Sequence, residues 1–130
     1  MKIDSMTMRD AMTGELIWET QTVPNEFVAY IPKQILNCKA VSREIVFSSE
    51  DFLKDLSVTQ SIRFLNEEIE VWNFKFGFVI PHSRNTWQQQ IVADPYPIPS
   101  DELTGNLVII SEFKDGENVL LTNKATIHYV

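Results

Sequence analysis

Residues Glu70 to Trp87, EVWNFKFGFVIPHSRNTW, constrain the fold more than any other stretch of the chain. At the two-residue period of a strand, Trp72, Phe74, Phe76 and Phe78 fall on one side and Asn73, Lys75 and Gly77 on the other. The spacing predicts a half-buried strand with an aromatic inner face. A single cross-strand neighbour cannot cover a tryptophan and three phenylalanines, so the strand needs either a second packed sheet or an apolar ligand.

A chain of 130 residues predicts one domain, residues 1–130, with a core that needs no disulfide or metal. The single cysteine, Cys38, has no internal partner, no N-terminal run has signal-peptide character, and no apolar segment is long enough to span a bilayer. The expected location is therefore cytoplasmic. A formal net charge of −7 repels phosphate backbones and anionic lipid surfaces and favours a basic partner.

In chain order, Lys2 to Arg9 alternate loosely, with Met6 and Met8 on one face, and Asp10 to Gly14 supply a turn before Leu16, Ile17 and Trp18. Phe27 to Ile31 is a further strand, closed by Pro32. Ile35 to Cys38 leads into Val41 to Ser48, where Arg43 shares the apolar face of Val41, Ile45 and Phe47. Ser48 to Asp51 carry N-cap chemistry and predict a short helix through Leu56. From Thr59 to Leu65 strand spacing returns, with Gln60 on the side of Ile62 and Phe64. Asn85 or Thr86 is expected to cap one helical turn running through Trp87 to Val92, followed by a surface loop at DPYPIP. Asn106 to Phe113 and Val119 to Val130 form a last hairpin around Asp115 and Gly116, with Ile109, Ser111 and Phe113 on one face, as are Ala125, Ile127 and Tyr129.

About eight or nine strands with hardly any helix predict an all-β fold, an immunoglobulin-like antiparallel β-sandwich, with a closed barrel as the alternative. Catalytic chemistry is sparse. His82 and His128 stand 46 positions apart, and no metal-ligand spacing, nucleophile elbow or phosphate loop occurs. The expectation is a protein that is not an enzyme and carries neither metal nor cofactor. Cys38 beside Lys39 reads as core rather than as a reactive thiol.

Arg43, Gln60 and Glu70 are polar residues on inner faces, Glu70 sharing its side with Trp72. Two accounts fit them. They form a buried, mutually satisfied network, or slip into water at a bulge; or they rim an apolar cavity between the sheets and orient the polar end of a greasy ligand.

The runs IPKQILNCKAVSREIVFSSE (Ile31 to Glu50), EVWNFKFGFVIPHSRNTWQ (Glu70 to Gln88) and LTGNLVIISEF (Leu103 to Phe113), with the terminal Tyr129 and Val130, resemble the prenyl-binding family of the delta subunit of rod cyclic-GMP phosphodiesterase. The resemblance spans nearly the whole chain. It implies a sandwich related to the Rho GDP-dissociation inhibitors whose interior holds a farnesyl or geranylgeranyl group: a solubilising carrier of prenylated small GTPases between membranes. Matched position by position, it implies lipid contacts from Arg43, Gln60, Glu70 and Trp72. It implies an apolar lining that includes Met6, Trp18, Ile31, Leu36, Cys38, Ile45, Ile62, Ile91, Ile109, Phe113, Ala125, Ile127 and Tyr129.

The family also implies a release partner, a GTP-bound Arf-like GTPase pairing with an exposed edge strand, here the segment of Asn73, Phe74 and Phe76. It further implies a monomer working in the cytoplasm, with the cilium or basal body as a second location. Relative to the family pattern the given sequence lacks most of the N-terminal helix, and the loops after Trp18 and near Tyr96 are shorter, which bears on how the pocket mouth is expected to be covered. A carrier of another acyl group such as myristoyl, an interaction module with a filled core, and a small enzyme are the alternatives.

Overall fold

The computed structural model describes residues 1–92 and 98–130. Among the described residues nine strands, β1 (Lys2–Asp10), β2 (Leu16–Thr20), β3 (Glu26–Ile31), β4 (Ala40–Ser49), β5 (Leu53–Phe64), β6 (Glu67–Val79), β7 (Ser83–Val92), β8 (Leu107–Asp115) and β9 (Asn118–Tyr129), make two sheets. One has the order β2-β1-β4-β7 and the other β3-β9-β8-β5-β6. The inward residues of both sheets meet in one core, in which Ile45, Phe47, Leu56, Val58, Ile62 and Phe113 are almost fully shielded. This is a β-sandwich and not a closed barrel.

Most neighbours run antiparallel, as the hairpin turns require, but β3 lies parallel to β9, from Glu26 beside Lys124 to Ile31 beside Tyr129. That pair is a departure from the fully antiparallel expectation. The β2–β3 connection changes sheets, so β3 joins the second sheet at its edge instead of turning back beside β2. A four-residue helix, α1 (Ser100–Leu103), sits against β9 and buries Leu103. After it, Gly105 at φ +77° donates its N–H to the Ile127 carbonyl at 2.8 Å. That left-handed φ favours a glycine, and a Cβ there would also stand a tight 3.1 Å from the His128 ring.

Three local expectations are corrected. The helix expected over Ser48 to Leu56 is absent: β4 runs to Ser49, a short turn follows, and β5 starts at Leu53. Leu53 and Leu56 are both buried at a spacing of three, which looks helical, but an irregularity in the β5–β6 register brings both inward. The Asp115 carboxylate holds that irregularity by accepting the backbone N–H groups of Lys54 at 3.1 Å and Asp55 at 2.9 Å. The helical turn expected over Trp87 to Val92 is the strand β7, in which Trp87 and Gln89 are buried and Gln88 and Gln90 exposed. The run of three glutamines hid that alternation. The surface loop expected at DPYPIP falls largely on residues 93–97, outside the described residues.

The third correction concerns the aromatic face of β6. Trp72, Phe74 and Phe76 pack on the core, but Phe78 is 67% exposed. Leu56 pairs with Gly77 and Ser57 with Lys75, so Phe76 is an extra residue in a bulge, and Gly77 takes φ +105°. Beyond the bulge the alternation is inverted, and Val79 goes inside in place of Phe78.

Candidate functional site

Arg43 stands in the middle of β4, opposite Met8 of β1 and Gln89 of β7, with its side chain between the sheets and only 1% exposed. Its Nε donates to Gln89 Oε1 at 2.7 Å and its terminal nitrogen to Gln60 Oε1 at 2.6 Å. Gln60 in turn donates from Nε2 to Ser111 Oγ at 2.8 Å. The guanidinium lies 5.4 Å from the centre of the Phe74 ring. The cluster thus ties the two sheets together, through β4 and β7 on one side and β5, β6 and β8 on the other. Glu70 takes no part: among the described residues Arg43 has no carboxylate within ion-pair distance. Burial without a countercharge pulls the guanidinium down to about 9, which leaves it cationic at neutral pH.

Beside this cluster is a mainly apolar cavity of about 30 Å³. Of the expected lining, Met6, Trp18, Ile31 and Ile109 border it, together with Ala125, Ile127, Arg43 and Gln60. Met8, Phe27, Ala29 and Ser111 border it as well and were not among the expected residues. Met8 and Ser111 follow from strand alternation, two residues along from Met6 and Ile109; Phe27 and Ala29 depend on the parallel docking of β3, which no local pattern announces.

About 30 Å³ is room for one water, whereas pockets for organic ligands measure roughly 300–1,000 Å³. A lipid entering here must part the sheets, and the unbranched side chains of Met6 and Met8 are suited to repacking around it. A wider cleft of about 500 Å³ opens elsewhere, between Met1 to Asp4, Gln21 to Asn25 and Leu121, but none of the buried polar cluster reaches it.

Glu70, Trp72 and Ile91 lie apart from the cavity, on a third depression between the edge strands β6 and β7. Cys38, Ile45, Ile62 and Phe113 are buried in the core without bordering the cavity. Burial and the nearby Asp10 carboxylate push the Cys38 thiol up, so it is poorly ionised. Tyr129 is half-buried against the core, and burial raises its phenol to about 12. Leu36 sits on a 3-10 turn (Lys33–Asn37), 41% exposed, and does not border the cavity.

Strand β6 forms an edge of its sheet, so one side of its backbone lacks a strand partner among the described residues. Of the three residues expected to meet a partner, only Asn73 is exposed. Phe74 and Phe76 turn inward, Phe76 packing edge-on against Phe47 at 5.1 Å and Trp87 at 5.5 Å. Any pairing there would use their backbone groups. Among the described residues, no group of three or more His, Cys, Asp and Glu could hold a metal ion, and no helix is long and apolar enough to cross a membrane.

The class that fold and site define is a β-sandwich with a buried polar cluster set into the wall of an apolar interior. The family model described as GMP-PDE, delta subunit, matches residues 1–129, and the chain belongs to that family. It is a family of prenyl-binding, solubilising factors, a binding and carrier subunit rather than a catalytic one.

Proposed function

We propose that this chain carries prenylated proteins, above all small GTPases ending in a farnesyl or geranylgeranyl cysteine, between membranes by holding the prenyl chain between its two sheets. The observation that carries this reading is Arg43, fully buried in the wall of the apolar cavity and, among the described residues, without a countercharge. Such a residue is costly in a core that is only structural, because two neutral amide oxygens do not replace the countercharge that a buried cation calls for. Met6, Trp18, Ile31, Ile109, Ala125 and Ile127 take the hydrocarbon; Ile45, Ile62, Phe113, Cys38 and Tyr129 form the layer behind them. Glu70, Trp72 and Ile91 guide the peptide that follows the lipid.

A chain of ~15 or 20 carbons, at ~0.8 kcal/mol per buried methylene, holds too firmly to leave quickly by itself. Release therefore needs a second ligand that favours the closed sandwich. In this reading a GTP-bound Arf-like GTPase adds a strand to the β6 edge at Asn73 to Phe76; Phe74 lies under Arg43, so a shift of that strand reaches the cavity. The net charge of −7 suits cargo with basic tails. In this reading the carrier works as a monomer in the cytoplasm, with the cilium or basal body as a second location.

Extraction from vesicles tests the reading. The protein should move a farnesylated GTPase from liposomes into the supernatant, and a GTP-loaded Arf-like GTPase should return it. Cargo that stays on the liposomes at every carrier concentration would contradict the proposal.

A further inference from the structure

Three large apolar side chains stand in the open at one corner of the second sheet. Leu53 and Val79 are register partners and both are buried, so alternation turns their neighbours Phe52, Phe78 and Ile80 outward, and these are 51%, 67% and 58% exposed. Phe78 faces out because the bulge at Phe76 and Gly77 inverts β6. Phe52 and Ile80 lie just beyond the ends of β5 and β6, on the β4–β5 and β6–β7 turns. Those turns are braced. The His82 N–H donates to the Glu50 carbonyl at 3.3 Å, and the side chains of the same two residues meet. Ser49 Oγ donates to the Asp51 carbonyl at 2.8 Å, and Ser83 Oγ to that of Ile80 at 2.6 Å. Charges of both signs flank the corner: Lys54, Lys75, Asp51 and Asp55 are exposed, and among the described residues none of the four is in an ion pair. A strand added at the free edge of β6 would not cover this corner, because Phe52 and Ile80 lie past the ladder and Phe52 belongs to the strand behind the edge. A flat surface covers all three side chains at once.

We propose that this corner is a docking surface for a zwitterionic phospholipid bilayer, on which the chain settles while it takes up or gives up its cargo. The proposal rests on the reading of the chain as a carrier between membranes. Phe52, Phe78 and Ile80 enter the boundary between headgroups and acyl chains, where so small an apolar area gives reversible attachment and no spanning insertion. Lys54 and Lys75 reach the lipid phosphates on their flexible stems, while Asp51 and Asp55 face the choline ammonium groups. A phosphatidylcholine headgroup, with one charge of each sign, matches that mixed rim. An anionic surface matches it less well, because the net charge of −7 opposes the approach.

Flotation of the full chain with phosphatidylcholine vesicles tests the proposal, with a soluble farnesylated peptide added in excess so that the interior is filled and only the outer surface meets lipid. Saturable attachment is expected, weaker when phosphatidylserine replaces part of the phosphatidylcholine. Phe52→Ser combined with Phe78→Ser should lower attachment roughly tenfold or more, from the apolar area that the two rings no longer bury. The same variant should withdraw a farnesylated peptide from the vesicles more slowly. Its solution affinity for that peptide, by anisotropy, should be unchanged, because neither ring borders the cavity. No attachment of the wild-type chain, or tighter attachment to the anionic vesicles, would overturn the proposal. Equal attachment of the variant would also overturn it, and if that variant no longer returned cargo on addition of the GTP-loaded Arf-like GTPase, the corner would belong to a protein partner. Vesicle attachment that the variant loses, in a chain that binds no farnesylated peptide, would support the docking surface and remove the carrier reading.

Discussion

Arg43 and Gln89 face each other across the β4–β7 pair, and the guanidinium of one donates to the amide oxygen of the other at 2.7 Å inside the sandwich. The pair is internal to one sheet, so it fixes the guanidinium at the cavity wall independently of the opposite sheet. Gln60, on the other sheet, accepts from the same guanidinium at 2.6 Å.

Arg43→Leu should therefore weaken binding of a farnesyl peptide by about 1–3 kcal/mol, the worth of a charge-assisted hydrogen bond. Stability should change less than affinity, because losing a buried uncompensated cation offsets leaving the Gln60 and Gln89 oxygens unpaired. Thermal midpoint without ligand and affinity with it, measured together, separate the two. A large fall in midpoint with unchanged affinity would make Arg43 purely structural.

Trp72→Ala should lower lipid-peptide affinity by about 2 kcal/mol or more, against little change for Lys75→Ala on the exposed side of β6. Equal losses, with both folds intact by circular dichroism, would contradict the role of the β6–β7 depression.

Asp115→Ala should destabilise the fold by about 1–2 kcal/mol, because two backbone N–H groups lose a charged acceptor. Urea unfolding measures this, and a change within a few tenths of a kcal/mol would show that water replaces the carboxylate.

The same aspartate shows where sequence reasoning stops. Strict alternation exposed most of the sandwich, including the inward Arg43 and Gln60, because a side chain on a strand can only face one of two ways. It failed at two of the three register irregularities of the β5–β6 pair. At Leu53 and Leu56 the irregular backbone is held by a residue about sixty positions away, so the local spacing imitates a helix. At Phe76 and Gly77 the extra residue inverts the face, and Phe78 reads as core when it is surface. Of the site, Gln60 and Arg43 were legible from their polarity on an apolar face. Gln89 was not, because its neighbours Gln88 and Gln90 erase the contrast between inside and outside.

Cys38 should resist alkylation in the native protein, since its thiol is buried and held above the usual range. A free cysteine titrates near ~8.5, so at pH 8 the native thiol carries less thiolate than an unfolded one, and its rate should go on rising at higher pH. Mass-spectrometric kinetics with iodoacetamide, native against urea-unfolded, check this. Equal rates would show that the thiol is open to solvent.

The central claim, that the interior of this sandwich takes a prenyl chain, is tested most directly by fluorescence anisotropy with a labelled farnesylated peptide. The account predicts saturable binding, competition by unlabelled farnesyl or geranylgeranyl peptide, and no binding of the same peptide without its lipid. Absence of saturable binding by either prenyl peptide would contradict it and leave a sandwich whose interior is only a core.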